Sequence, residues 1–194
     1  MTRRRSAAHV TYSLLGVLVL TGPWSTGARA QHHDHDAASA QATEASGLVK
    51  VVRESTERFR DVSVAQAEGY SPLFGCVSGS DAGAMGLHYM KMPLVADGEL
   101  DPAHPEIVIY EPMPDGRLRL IGADFLVLAE DWHKKHKETP QIMGQLLHLF
   151  ESPNRFGLPA FYTLHVWAWK DNPTGMFVNW HSNVSCDAFT GQNP

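Results

Sequence analysis

Cysteine is scarce in this chain, where Cys76 and Cys186 are the only two among 194 residues. Neither belongs to a Cys-x-x-Cys pair, and neither has a histidine at close ligand spacing. In an oxidising compartment the default for two such residues is a disulfide, which would close a loop of about 110 residues and contribute about 4–5 kcal/mol in the chain-entropy model. A pair of metal thiolates is the alternative. A disulfide would also disfavour cysteine catalysis.

Positive charge is in short supply as well. The chain has 16 Lys and Arg against 21 Asp and Glu, a net charge of −5, and no basic stripe. Nucleic acid is therefore not an expected partner. Long apolar runs are lacking beyond the N-terminus, so we predict no transmembrane segment after signal cleavage. The sequence has no internal repeat and does not indicate an oligomeric state.

Familiar catalytic motifs are missing too. There is no Gly-x-Ser-x-Gly nucleophile elbow, and the glycine-rich stretch 71–86 lacks the Gly-Lys-Ser/Thr ending of a phosphate loop. The predicted domain also lacks His-Glu-x-x-His, the cupin His-x-His and the oxygenase His-x-Asp. We read 71–86 as a surface loop held by Cys76. A general acid/base pair of Glu111 and Asp124 stays open, and the sequence does not decide whether the protein is an enzyme.

The N-terminus has the three parts of a secretory signal. Arg3, Arg4 and Arg5 are followed by an apolar run at 14–20 and by a small-x-small cleavage site at 28–30. We predict a signal peptide at 1–30 and an exported chain, periplasmic or extracellular, of roughly 160 residues in one domain. Residues 31–46, rich in Ala, Gln, Ser and His without periodicity, are predicted to be a disordered leader. This His-rich leader either captures metal weakly or is a spacer.

Residues 47–194 show the pattern of a single α+β domain. Apolar residues recur at helical spacing from Leu48 to Phe59, and a second helix is expected over 62–68. Strands are expected at 87–92, 106–112, 117–128, 161–169 and 176–180. We predict an N-terminal helix or helix pair packed on a mostly antiparallel sheet, which can curl into a partial barrel.

The clearest strand pair is a hairpin around Asp115-Gly116. A two-residue turn there places Glu111 opposite Leu120, Ile109 opposite Gly122 and Ile107 opposite Asp124. Glu111 and Asp124 then share a face that is otherwise aliphatic, which is costly unless the carboxylates are paired. A slip of one residue in register would change these faces.

The segment 161–169 alternates like a strand and carries one histidine among large aromatic residues. Alternation puts His165 on one face with Phe161, Thr163, Trp167 and Trp169. Because both faces are largely apolar, His165 needs a hydrogen-bond acceptor or a metal as partner.

Histidines and carboxylates on separate strands can converge on one inner face of a small sheet. We predict a site for a divalent transition metal (copper, zinc or iron) at His88, Glu111 and His165, completed by His148 or Asp124. Each residue has an alternative role: the histidines as hydrogen-bonded core or surface residues, Glu111 at an exposed strand end, Asp124 as a partner of Arg117 or Arg119. The wide spacing along the chain neither supports nor opposes the site.

Several motifs resemble those of a family of exported bacterial proteins that has no established activity. The motifs that carry the resemblance are Gly-Ala-Met-Gly-Leu-His-Tyr at 83–89, Ile-Tyr-Glu-Pro at 109–112, Asp-Gly-Arg-Leu-Arg-Leu at 115–120, Leu-His-Val-Trp-Ala-Trp at 164–169 and Val-Ser-Cys at 184–186. The resemblance covers nearly the whole chain after residue 30. It implies an exported bacterial domain and no particular reaction.

These observations favour an exported, disulfide-linked domain that binds a divalent transition metal, with any catalytic role undetermined. Three protein ligands and a water could activate that water or polarise a carbonyl. The main alternative is a non-enzymatic binding module, in which the aromatic face lines a pocket for a small apolar or carbohydrate-like ligand. A structural envelope protein with hydrogen-bonded polar core residues is the third.

Overall fold

The computed structural model describes residues 31–79 and 81–191. The signal peptide predicted for residues 1–30 lies outside the described residues. A short helical region packs on a six-stranded antiparallel sheet that curls into a half-barrel. The predicted α+β class with a curved antiparallel sheet is therefore confirmed.

The helical region contains α1 (Gln31–Thr56), a 3₁₀ turn (Glu57–Arg60) and α2 (Val62–Ala67). The Asp61 side chain accepts a hydrogen bond of 3.0 Å from the backbone N–H of Ser63 and so caps α2. Leu48 and Val52 of α1 are fully buried against the sheet. Burial of a side chain of this size contributes about 1.5–3 kcal/mol, so the apolar stripe read from the sequence holds α1 in place.

Helix α1 begins at Gln31, within the segment predicted to be a disordered leader. The sequence there lacks an apolar stripe, but it also lacks Gly and Pro before Gly47, and it is rich in good helix formers such as Ala, Gln and Glu. Residues 42–46 are mostly exposed, so packing contributes little to this part of the helix. Helical propensity thus extends α1 beyond the part that the core requires.

The half-barrel has the strand order β1-β2-β3-β4-β8-β7, with every neighbouring pair antiparallel. Its strands are β1 (Ser71–Ser78), β2 (Ala84–Met90), β3 (Ile107–Pro112), β4 (Leu118–Leu128), β7 (His148–Phe150) and β8 (Phe161–Val166). A separate two-stranded ribbon joins β5 (Gln141–Ile142) to β6 (Gln145–Leu146). Two short helices, α3 (Met92–Val95) and α4 (Ala129–Lys135), lie in the connections. Strands β1 and β7 form the two edges of the half-barrel.

The prediction of a surface loop over 71–86 is wrong, because most of that stretch forms β1 and the start of β2. Strand β1 contains a bulge: Leu73 pairs with His88 and Cys76 with Leu87, leaving Phe74 and Gly75 between them. Both bulge residues have positive φ, 72° and 73°. The glycine and serine content of this stretch predicted a loop, because both residues are typical of loops. Here Gly75 instead adopts the positive φ that the bulge requires.

The hairpin between β3 and β4 departs from the predicted register twice, and the two departures cancel. The turn is one residue longer than expected, since Met113 N–H donates to Arg117 O at 2.9 Å, and Glu111 therefore pairs with Arg119 instead of Leu120. A bulge at Ile121 then restores the register, so Ile109 pairs with Gly122 and Ile107 with Asp124 as predicted.

The Cys76–Cys186 disulfide, separated by 110 residues, is present as predicted. It joins β1 to the C-terminal segment 167–191, which runs back along the sheet and forms an isolated bridge between Ala84 and His181. Gly83 permits this approach, because a Cβ there would lie 2.2 Å from the carbonyl oxygen of His181. Within residues 31–79 and 81–191, no helix has the length and apolar character needed to cross a bilayer.

Candidate metal centre

Three strands bring His88, Asp124 and His165 together on the inner face of the half-barrel. Each residue offers one ligand atom, and these atoms all lie within 4.8 Å of one another. The register of the strands explains this convergence. Asp124 on β4 lies opposite His165 on β8, and on its other side it lies opposite Ile107 on β3. His88 on β2 lies opposite Ile109, which is two residues along β3 from Ile107. Residues far apart in the sequence thus become neighbours through sheet pairing.

The two imidazoles face each other through their Nε2 atoms, which are 3.4 Å apart. Their rings meet edge to face, with centroids 5.6 Å apart and an interplanar angle of 78°. Two nitrogen ligands of a tetrahedral ion with metal–nitrogen bonds of about 2.0–2.1 Å are themselves about 3.4 Å apart. The observed separation therefore suits two ligands of one ion.

Asp124 is held in place by its neighbours on β8. Its Oδ1 accepts a hydrogen bond of 2.5 Å from the Thr163 hydroxyl and one of 3.1 Å from the Leu164 N–H. The same oxygen lies 3.8 Å from His165 Nδ1, too far for a hydrogen bond. Asp124 is 2% exposed, so its orientation is fixed by these donors and by packing.

The ring nitrogens that do not face each other have different surroundings. His88 Nδ1 lies 3.3 Å from the carbonyl oxygen of Gly86, which suits an Nδ1–H donor and leaves Nε2 unprotonated. The atoms His165 Nδ1 and Asn179 Oδ1 are both buried, and neither forms a hydrogen bond with another of the described residues. The Asn179 side chain is still close enough to His165 to favour its protonated form.

Burial sets the protonation of the group. It lowers the pKa of His88 to about 4 and that of His165 to about 3, so both rings are neutral at neutral pH. Burial raises the pKa of Asp124 to about 6, against the opposing influence of His88 and of the Thr163 hydroxyl. Two neutral imidazoles beside a carboxylate that ionises near neutrality form a set of groups that can hold a metal ion.

A small cavity opens beside the three residues. Its walls are mainly apolar, with Phe74, Phe150, Phe156 and Phe161 as the largest side chains, and its polar wall consists of His88, Asp124, Thr163 and His165. The space that water-sized molecules can occupy in it is about 20 Å³. One water molecule needs about 10–15 Å³ by this measure, so the cavity accepts an ion or a very small molecule.

Glu111 is not among the three grouped residues. Its carboxylate receives hydrogen bonds of 2.8 and 2.9 Å from Lys170 Nζ and forms an ion pair with Arg119. Burial opposes ionisation of Glu111, yet Lys170 and Arg119 keep its pKa below the usual value. Glu111 lies four positions along β3 from Ile107, the partner of Asp124, which is about 13 Å along a strand. Sharing a face does not bring it to the site.

His148 also stays outside the group. It lies on edge strand β7 opposite Thr163, and its side chain is exposed. Of the five residues predicted to supply ligands, the structure therefore brings together His88, Asp124 and His165, and not Glu111 or His148.

Alternation correctly placed Thr163 and Phe161 on the face of His165, although it gave Thr163 no role. Sequence reasoning missed the other residues that surround the three. Asn179 and Phe156 lie in irregular segments whose folding back onto the sheet has no periodic signal. Trp169 was expected on the same face as His165, but β8 ends at Val166 and the alternation stops there. The backbone N–H of Trp169 donates to Ile121 O at 3.1 Å, and its side chain packs against the cluster around Phe59.

Comparisons of the chain with protein-family models, with curated proteins and with solved structures find no match. The family resemblance seen in the sequence therefore stays a prediction.

Proposed function

We propose that this protein is an exported bacterial domain that binds one divalent transition metal ion through His88, Asp124 and His165. The observation that carries the proposal is the convergence of their three ligand atoms within 4.8 Å inside the half-barrel. Burying three such polar side chains in an apolar interior is costly unless a partner compensates them. A bound cation is the partner that satisfies all three at once.

The ligand types favour a transition metal over calcium or magnesium. Calcium and magnesium prefer sites built from oxygen atoms, whereas two imidazoles and one carboxylate suit zinc, iron or copper. The same combination with open coordination positions occurs in catalytic zinc sites and in non-haem iron enzymes. We infer metal binding from this donor set, and we leave a catalytic role open.

A single arrangement of protons accounts for the ring surroundings. With Nδ1–H of His88 directed to Gly86 O and Nδ1–H of His165 directed towards Asn179, both Nε2 atoms carry free lone pairs that face each other. Metal-binding histidines commonly donate their other ring N–H to an oxygen acceptor in this way. Gly86 O and Asn179 Oδ1 would thus orient the two imidazole ligands.

The disulfide supports the proposed export. Cys76–Cys186 accounts for both cysteines of the chain, and disulfides persist mainly in oxidising compartments such as the periplasm. The predicted signal peptide points the same way. The periplasm or the extracellular space is therefore the proposed location, and residues 31–194 are the proposed exported chain.

A metal-free binding module is the second candidate. The four phenylalanines around the cavity favour it, because apolar walls with a few polar groups at one end are typical of small-molecule sites. In that function His88, Asp124 and His165 would only orient the ligand. The two functions differ in whether the purified protein contains metal.

Elemental analysis tests the first function. The exported chain should be produced with His32, His33 and His35 replaced by alanine, since the leader histidines can bind metal on their own. We expect about one equivalent of zinc, iron or copper per chain, lost in His165→Ala. His148→Ala, which removes an exposed histidine outside the group, should keep the full equivalent. Absence of metal from the parent protein, or retention in His165→Ala, would favour the binding module.

A further inference from the structure

We propose that the cavity beside His88, Asp124 and His165 admits only neutral molecules of a few heavy atoms, such as dioxygen or hydrogen peroxide, and excludes anions and larger organic compounds. Only one part of this inference rests on the proposed function, namely that the admitted molecule contacts a metal ion. The size and charge selection is a property of the cavity itself. It follows from how the half-barrel is closed.

The segment 151–160 closes the half-barrel by reaching from one edge to the other. It leaves edge strand β7, and its Arg155 donates a hydrogen bond of 3.1 Å to Ser78 O on edge strand β1. The Asn154 side chain holds the segment together with three hydrogen bonds. Its Nδ2 donates to Leu158 O at 2.9 Å, and its Oδ1 accepts from the N–H groups of Phe156 and Leu158 at 3.2 and 3.3 Å. The cover is therefore a structured loop fixed at both edges.

Aromatic side chains make the cover tight. Phe156 contacts Phe74 of β1 with ring centroids 5.2 Å apart, and it contacts Phe150 and Phe161 at 6.4 and 6.2 Å. Phe150 and Phe161 stack with an interplanar angle of 4°. Phe156 and Leu158 are only partly buried, so the outer side of the cover faces solvent. A molecule that enters through this cover must pass between these rings.

The cavity limits its occupant by volume. About 20 Å³ is available to water-sized molecules, against about 150 Å³ in apolar cavities known to bind benzene. An amino acid, a sugar or a nucleotide does not fit without displacing a phenylalanine. One or two small molecules do fit.

The cavity also limits its occupant by charge. Among the described residues, no Lys or Arg lines the cavity, and the exposed Arg155 guanidinium, 5.8 Å from the Phe156 ring centroid, donates to Ser78 O. A metal ion would add positive charge only at the polar end, so the selection by charge acts on passage through the cover. Moving an isolated charge into such a place is costly, whereas a neutral diatomic molecule loses little hydration. The polar groups lie together at one end, where one end of a small ligand would meet them.

A single introduced thiol can measure this selection without any metal. Both native cysteines are in the disulfide, so Met85→Cys, at the cavity wall, provides the only free thiol. The full exported chain is treated with chelator and with three thiol reagents: hydrogen peroxide, which is neutral and has two heavy atoms, methyl methanethiosulfonate, which is neutral but larger, and anionic 2-sulfonatoethyl methanethiosulfonate. Hydrogen peroxide oxidises the thiol to a sulfenic acid and is itself reduced to water. Rates are divided by those of Ser46→Cys, whose side chain is exposed on α1. Leu158→Cys serves as a second cavity position if Met85→Cys does not fold.

The expected result is a graded series. Relative to hydrogen peroxide, the normalised rate should fall at least about tenfold for methyl methanethiosulfonate and at least about 100-fold for the anionic reagent, because packing resists bulk and burial opposes charge. Adding Phe156→Ala should remove most of the discrimination by size. Normalised rates that agree within about threefold for all reagents would overturn the proposal, as would a Phe156→Ala variant that leaves the size series unchanged. Metal content does not enter this measurement, so it can fail or succeed independently of the elemental analysis.

Discussion

His88 and His165 face each other with their Nε2 atoms 3.4 Å apart inside the half-barrel, although 77 residues separate them in the chain. If both rings carry Nδ1–H, two lone pairs point at each other, which is unfavourable without a cation between them. If His88 carries Nε2–H instead, it gives up the donation from its Nδ1–H to Gly86 O. If His165 carries Nε2–H, the hydrogen bond between the rings is long at 3.4 Å, whereas a cation between the rings satisfies both Nε2 atoms.

Asp124→Asn should weaken metal binding while leaving the fold intact. Asparagine has the same shape, and its carbonyl oxygen can still accept from Thr163 and Leu164, but it lacks the negative charge that attracts a divalent cation. We expect affinity to fall by roughly 100-fold or more in competition with a chromogenic chelator. Without metal, the melting temperature should be unchanged or higher, because a buried carboxylate that ionises near neutrality is removed. Unchanged affinity would remove Asp124 from the ligand set.

Asn179→Ala tests whether Asn179 orients His165. Loss of an acceptor for the second ring nitrogen typically costs 10–100-fold in metal affinity, so we expect a decrease of about that size with the stoichiometry unchanged. Asn183→Ala is the matched control, since the Asn183 side chain is exposed. Ring ¹⁵N shifts of His165 should show mixed protonation in the metal-free Asn179→Ala protein and a single Nδ1–H form in the parent. Equal affinities for both variants would contradict the role.

Glu106 should make stability depend on pH above neutrality. It is 2% exposed, its Oε2 accepts from the Leu126 N–H at 3.0 Å, and burial raises its pKa to about 9. Folding raises the pKa of Glu106, so the protonated carboxyl favours the folded state. This contribution to the free energy of unfolding is complete below the unfolded pKa of about 4.5 and is lost as the pH rises towards 9. Between pH 7 and 9 the buried histidines are largely neutral in both states and Asp124 is largely ionised, so Glu106 is the group whose protonation changes most.

Glu106→Gln removes this dependence. In chelator, the unfolding free energy of the parent should fall by about 2 kcal/mol from pH 7 to 9, and that of the variant should stay nearly flat. Urea unfolding at several pH values provides the measurement. Parallel curves for the two proteins would mean that Glu106 is ionised in the folded state.

The sequence predicted the fold better than the site because period and turn signals are local. The apolar stripe from Leu48 to Phe59 and the alternation in β8 follow directly from burial on one or both faces. The Asp115-Gly116 signal found the hairpin, and the pairing of Ile107 with Asp124 was right although the turn length was not. The bulge at Ile121, which offsets the extra residue in the turn, has no characteristic residue pattern by which it could have been predicted.

The choice among the candidate ligands depended on distances that local patterns do not contain. Glu111 and Asp124 were both expected on the inner face, and only their positions along the strands separate them: Asp124 lies opposite His165, while Glu111 lies near Lys170. That β4 pairs with β8 is a long-range fact. His148 likewise reached the sheet, but on an edge strand where its side chain is exposed.

X-ray absorption at the metal edge of the purified, metal-loaded protein measures whether His88, Asp124 and His165 bind one ion. We expect one ion with two imidazole nitrogens at about 2.0–2.1 Å and at least one oxygen at about 2.0–2.2 Å in the first shell. His88→Ala and His165→Ala should each fail to retain the ion, whereas His148→Ala should keep both the ion and its imidazole scattering. A first shell without imidazole, or one that only changes when His32, His33 and His35 are replaced, would contradict a metal centre inside the half-barrel.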